Sequence, residues 1–313
     1  MSAALERETT RAGPSGAASA RGGASSDATP DAAARPARRR SRVWAKLRAS
    51  PTALVGGVLV AAFALIALAA PLTGLDPAAT DWGAIRKPPS AAHPLGADEL
   101  GRDVLARMVW GARASLLAGV VSVAMAVAVG APLGMLAGWA RGWTDAAISR
   151  ATEALLACPF LILAIAFAAF LGPSLTNAMI AIGLSAAPVF IRIARAETMR
   201  VAAEDYVESA RAAGVGQAAI LWRTVAPNIA PPLLVQATLT VATAIIAEAS
   251  LSFLGLGQQP PAPSWGSMLN VAKGFLEQAP WMALWPGAAI FAVVLGFNML
   301  GDGLRDALDP RQN

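Results

Sequence analysis

The chain has one cysteine, one histidine and one tyrosine in 313 residues. A lone Cys158 excludes an internal disulfide and any multi-cysteine metal site. It stands in ALLACPFLI, where a small buried apolar residue is expected. A lone His93 excludes a His–His metal pair. Charge is scarce too. Asp, Glu, Lys and Arg make up 14% of the chain, against roughly 25% in an ordinary soluble domain. Hydrophobic residues fill 56% of it. Such a chain does not bury one compact core in water. It reads as a polytopic membrane protein.

The apolar residues gather into six runs, about 52–72, 114–138, 147–171, 175–193, 233–256 and 282–300. Asn177 and Pro188 interrupt the fourth. Each run approaches the roughly 20 residues that cross hydrocarbon as a helix. Helices are expected because lipid offers no partner to an unpaired backbone group, and no barrel-type alternation is visible. Ahead of the first run, residues 1–34 are mostly Ala, Gly, Ser, Thr, Pro and scattered charge, the composition of a disordered tail. The first apolar run begins too far in for a usual cleavable signal peptide.

The net charge of +5 comes mainly from Arg35, Arg38, Arg39, Arg40, Arg42, Lys46 and Arg48. A basic run fits phosphate, but no nucleic-acid fold signature accompanies it, so nucleic acid is not expected as a partner. The cluster reads instead as a topology signal that keeps the N-terminus in the cytoplasm. Six spans then return the C-terminus to the same side. Arg141, Arg195, Arg200, Arg211 and Arg223 fall on inside loops. The outside loop 73–113 runs against the rule, with Arg86, Lys87, Arg102, Arg107 and Arg113 beside five acids.

The most informative stretch is Tyr206 to Gln236, YVESARAAGVGQAAILWRTVAPNIAPPLLVQ. Helix formers from Val201 to Ala213 predict one helix. Gly214 suits a left-handed helix end. Gln217 to Trp222 predicts a second short helix, stopped by Pro227 and then by Pro231 and Pro232. Three other stretches stand out: HPLGADELGRD (93–103), EASLSFLGLGQQPPAPSWGSML (248–269) and LGDGLRDALDPR (300–311). The first has two readings, a folded outer segment that touches a partner, or a cap in which Asp98 or Asp103 starts the next helix. In the second, Gly255 and Gly257 end a span, prolines stiffen the exit and Trp265 is a candidate interfacial anchor.

Glu208, Ala210, Gly214 and Pro227 match E-x-A-x3-G-x12-P, the spacing of the EAA loop of ABC-importer permeases. Ser209 departs from the usual first Ala, and Thr224 and Ala226 from the usual Ile and Leu. With the other three stretches in order, the chain from about Ser41 onward resembles the C-type permease of the dipeptide, oligopeptide and nickel importers. The resemblance implies an all-α integral membrane protein of six transmembrane helices with the type I ABC importer permease fold. It divides the chain into a cytoplasmic tail (1–40), a first helix with an extracytoplasmic loop (41–112), a permease domain (113–301) and a short cytoplasmic tail (302–313). It implies a cell inner membrane location. The partners it implies are a second homologous permease in a heterodimer, two cytoplasmic ABC ATPases, an extracytoplasmic substrate-binding protein and the lipid bilayer. It implies no cofactor and no enzyme activity in this chain, and no G-x4-GK[ST] phosphate loop is present. Peptides are the expected cargo. Nickel, glutathione or another small solute is the alternative, and a secondary transporter a more distant one.

Within the spans, Glu248 is the carboxylate near the middle of the fifth run. It is a candidate for the translocation path or a permease–permease contact, and equally for a buried hydrogen bond between helices. Glu153 is expected to snorkel or to pair with Arg150. Gly130, Gly134 and Gly138 read as a helix-packing seam.

Overall fold

The computed structural model describes residues 46–308. The expected disordered tail, most of the basic cluster and the last five residues lie outside them. All the named elements are helical, and the only extended pairing among the described residues is two single bridges, Thr80 with Arg102 and Ala97 with Asp103.

Helix α1, Pro51–Ala69, starts where the Ser50 hydroxyl accepts from Ala53 N and Pro51 takes the first helical position. Helix α2 spans Val104–Ala140 and begins ten residues before the expected start at 114. The cause is Asp103, whose carboxylate accepts from Ala106 N at 3.1 Å and caps the helix. At 1.5 Å per residue α2 is about 55 Å long, so it overshoots the hydrocarbon.

The third expected span is broken. Helix α3, Gly142–Leu156, and helix α4, Phe160–Leu171, meet at 93°. Pro159 disfavours helix at Cys158 and cannot donate itself, which ends α3 and lets α4 restart. Cys158 is half-buried at this bend, not enclosed. Five helical segments are thus long and apolar enough to cross, and the bent pair makes a sixth crossing if taken as one span.

Helix α5, Leu175–Ala202, runs straight through both residues expected to interrupt it. Asn177 donates its side-chain amide to Leu171 O and Gly172 O at 2.8 and 3.1 Å, and so closes the end of α4. Pro188 is fully inside and tolerated. Two short helices follow, α6, Asp205–Ala212, and α7, Gln217–Ile220. A single π turn, Leu221–Val225, leads without a break into α8, Ala226–Phe253. Helix α9, Trp265–Ala272, is capped by Ser264 and Ser267 in a reciprocal box, and α10 spans Trp281–Leu308.

Helix α2 is the centre of the bundle. Its most extensive partner is α5, and it also packs on α8 and α1. The seam with α5 is the glycine row. A Cβ at Gly130 would lie 2.7 Å from Ala187 O, and one at Gly138 2.6 Å from Arg195 O. Gly134 faces Ile191 O as closely. Three glycines at four-residue spacing thus let two backbones approach along one face. Trp265 is fully buried against α2, edge-on to Phe63, with Nε1 donating to Met108 O at 3.2 Å. It is a core residue and not the interfacial anchor expected.

Candidate functional site

The segment from Ala203 to Pro227 leaves the bundle as a framed loop. The expected single helix from Val201 to Ala213 is divided. Helix α5 stops at Ala202, Glu204 is extended, and α6 begins at Asp205. Helix α6 ends in a complete Schellman motif. Val215 N donates to Ala210 O at 3.1 Å, Gly214 N donates to Arg211 O at 3.0 Å, and Gly214 takes φ +76°. A Cβ at Gly214 would meet nothing within 4 Å. The glycine is therefore demanded by backbone conformation, not by space.

Pro227 does not end the second helix. Helix α7, the π turn and α8 follow one helical path, and the wider π turn accommodates the lost donor. The Asn228 amide donates to Thr224 O at 2.7 Å beside it.

The loop has two faces. Val207, Ile220 and Val225 are buried in the main core, and Ala210 packs against it. Tyr206, Val215 and Trp222 are exposed at 48, 43 and 61%. Glu208 is exposed in the first turn of α6, where a carboxylate favours the helix start, and it forms no ion pair among the described residues. Arg211 lies over the Trp139 ring at the end of α2, 4.7 Å from its centroid. So Glu208 and Gly214 belong to the outward side, Ala210 to the inward side, and Pro227 to the root of α8.

Glu248 is fully buried and sits five residues before the end of α8, not at its middle. Its Oε2 accepts from Ser115 Oγ of α2 at 2.9 Å, and its Oε1 from Ser252 Oγ at 2.7 Å. Ser115 Oγ in turn accepts from Trp265 N at 3.3 Å, and Ser252 Oγ from Gln258 N at 3.1 Å. One carboxylate thereby ties α2, α8, the following loop and the start of α9.

Two family models match the sequence: the binding-protein-dependent transport system inner membrane component over residues 130–313, and the N-terminal TM domain of oligopeptide transport permease C over residues 39–89. The chain belongs to the family of binding-protein-dependent transport system inner membrane components. The dipeptide transport system permease protein DppC of Alkalihalophilus pseudofirmus is 45% identical over 267 residues, 85% of this chain and 88% of that one. The glutathione transport system permease protein GsiD of Salmonella typhimurium is 45% identical over 270 residues, 86% and 89% of the two chains. Inward facing conformations of the MetNI methionine ABC transporter match with a TM-score of 0.56 at 20% identity, over 66% of this chain and 98% of that chain. That likeness carries the fold. The protein is a multi-pass inner-membrane permease subunit of an ABC importer with the type I permease fold.

The acidic and basic residues of HPLGADELGRD stood together in the sequence, but their partner Arg107 and a second polar cluster of this permease were not legible there. In the segment before α2, Asp98 is buried and accepts from Leu100 N and Arg102 N at 2.9 and 2.8 Å, and from Arg102 Nε at 2.6 Å. Arg107 Nε lies 3.3 Å from the same carboxylate, and Arg107 Nη1 donates to Pro77 O at 3.2 Å. Glu99 pairs with Arg102; burial pushes its carboxyl above the ordinary value, and the neighbouring Asp98 charge adds to the rise. His93 stands 3.4 Å from Asp103. HPLGADELGRD is thus a hydrogen-bonded fold element as well as a cap, in which Glu99 Oε2 is buried without a hydrogen-bond partner. The second cluster is a bidentate pair between Arg195 of α5 and Asp145 of α3, which Ser149 also joins. It fastens the bent helix to α5. Glu153 pairs with Arg150 at 3.1 Å, as expected.

Proposed function

We propose that this permease forms half of the translocation path of an ATP-driven importer of dipeptides or oligopeptides. A cytoplasmic ATPase docks on the loop around Glu208, Ala210, Gly214 and Pro227. The observation that carries this reading is the loop's construction: Tyr206, Glu208, Val215 and Trp222 face outward from a frame that Val207, Ile220 and Val225 root in the core. An exposed apolar and acidic surface on a fixed base suits a partner that pushes. The complex then holds a second homologous permease, two ATPases and an extracytoplasmic binding protein. The domains are a cytoplasmic tail (1–40), a first helix with an outer loop (41–112), the permease domain (113–301) and a cytoplasmic end (302–313). ATP closes the ATPases, the docked loop moves, and the path opens outward to take cargo from the binding protein. The chain itself does no covalent chemistry.

The peptide reading is supported by the names of the relatives, since dipeptides and glutathione are both small peptides. Glutathione is the second reading, on the same ground. The complex reconstituted in vesicles with its binding protein is expected to retain two ATPases. It is also expected to import a radiolabelled dipeptide only with ATP, with excess unlabelled glutathione as competitor separating the two readings. Uptake of neither, or uptake indifferent to ATP, overturns the proposal.

Both termini are placed in the cytoplasm by this reading. A reporter fused after Asn313 is expected to score inside, and one inserted in the 257–281 loop outside. An outside score for the C-terminal fusion refutes the orientation.

A further inference from the structure

We infer that Arg211 is a positioning residue: stacked on Trp139, it locks the body of α6 to the end of α2, so that a displacement of the loop is passed to α2. The inference rests on the coupling-loop reading and adds the route by which the movement leaves the loop.

The helical path is interrupted at both ends of α6. Before it, Ala203 and Glu204 break the helical path from α5. After it come Gly214 at φ +76°, an extended Gly216 and the π turn. What ties the body of α6 to the bundle is the buried Val207, the packed edge of Ala210 and the Arg211–Trp139 stack. The first two are apolar contacts without a preferred direction. The third is directional, because a planar guanidinium is held over a ring face. Arg211 makes no ion pair among the described residues, although Glu208 stands one turn earlier on the same helix. Its cation is left to the ring.

Helix α2 is the fitting receiver. Trp139 follows Gly138, which lies against the α5 backbone at Arg195. From there α2 runs unbroken to Ser115, which donates to Glu248, and on to the Asp103 cap beside the Asp98 cluster. One continuous helix, with Pro132 in its interior, therefore connects the loop to the opposite face, where α8, α9 and the outer segment meet it.

The test uses the whole complex with its ATPases, in a Cys158→Ser background that removes the sole cysteine of this chain, and with any cysteines of the partner subunits replaced. Nitroxide labels are placed at Ala212→Cys on α6 and Leu136→Cys on the exposed side of α2. Their distance is measured without nucleotide and after trapping with ATP and vanadate. With Arg211 and Trp139 intact, the two labels move together and the distance holds. With Arg211→Ala or Trp139→Leu, the distance is expected to shift between states by about 2 Å or more, the scale of helix translations in switching proteins. Trp139→Phe, which keeps a ring, restores the intact behaviour. The double variant shifts no more than either single one. A distance that changes equally in the intact pair, or in neither single variant, overturns the strut. Loss of the ATPases on Arg211→Ala while Trp139→Leu retains them makes Arg211 a docking residue and also overturns it. An unsubstituted complex that holds no ATPase ends the coupling-loop reading itself, and the strut with it.

Discussion

Glu248→Ala is expected to lower the thermal midpoint of the purified complex by on the order of 2 °C, and Glu248→Gln to lower it far less. The carboxylate accepts from two hydroxyls on different helices, and each hydroxyl relays to a backbone N–H, Trp265 N and Gln258 N. Alanine removes both acceptors and leaves a void in a fully buried position. Buried donors left without partners cost about 1–3 kcal/mol. The lower part of that range applies, because a serine in a helix can turn its hydroxyl to the carbonyl four residues back. Ser185 and Ser250 already do so at 2.7 and 2.8 Å. Glutamine keeps the volume and one acceptor. The order Glu, Gln, Ala in thermal midpoint, with residual uptake tracking the amount of assembled complex, marks a structural tie. Lost uptake at an unchanged midpoint would make Glu248 a path residue and reject the tie.

What could be read from the chain follows from the range of the interactions involved. Five of the six spans were legible because hydrocarbon thickness imposes a length that each of those segments meets alone, while the third is a bent pair of which neither helix does. The Gly214 turn was legible for the same reason: a left-handed residue is a local demand, and the motif around it is closed by bonds within six residues. The glycine row of α2 was visible as spacing, though its partner α5 was not.

Boundaries failed where a capping or bending residue acts across a turn. Asp103 starts α2 before the hydropathy rises, and Pro159 splits an apolar run that composition alone joins. Prolines misled in the other direction. Pro188, Pro231 and Pro232 stand inside helices because neighbouring segments hold the path that local propensity disfavours. Asp145 with Arg195, and Asp98 with Arg107, were out of reach for a third reason. Their members lie on different elements, fifty residues apart in the first case, and no period in the sequence connects them. Arg211 was seen as one more inside charge, and only the fold sets it on Trp139.

Gly214→Val is expected to leave the helices inserted while the complex loses its grip on the ATPases. The residue sits at φ +76°, where a β-branched side chain is strained by its own backbone, and no neighbour lies within 4 Å to clash with it. The strain of a non-glycine residue in such a region is about 1–3 kcal/mol. The loop escapes it by giving up the bonds from Val215 N to Ala210 O and from Gly214 N to Arg211 O, which frays the end of α6 and turns α7 away. A coupling free energy of about 1–3 kcal/mol corresponds to 5- to 150-fold in affinity for the docked partner. Because the cause is conformational and not steric, the substitutions should rank by their tolerance of the left-handed region, with Asn closest to Gly, then Ala, then Val. Glu208→Lys should weaken docking as well by reversing charge on the outward face. Glu208→Gln separates that effect from the smaller loss of a carboxylate at the start of α6. The measurement is ATPase co-purification together with ATP-driven uptake, with membrane insertion as the control. Wild-type uptake with ATPases bound in both Gly214→Val and Glu208→Lys would remove the loop from the coupling machinery. A ranking by side-chain volume instead of left-handed tolerance would show that an ATPase surface, not the turn itself, presses on this position.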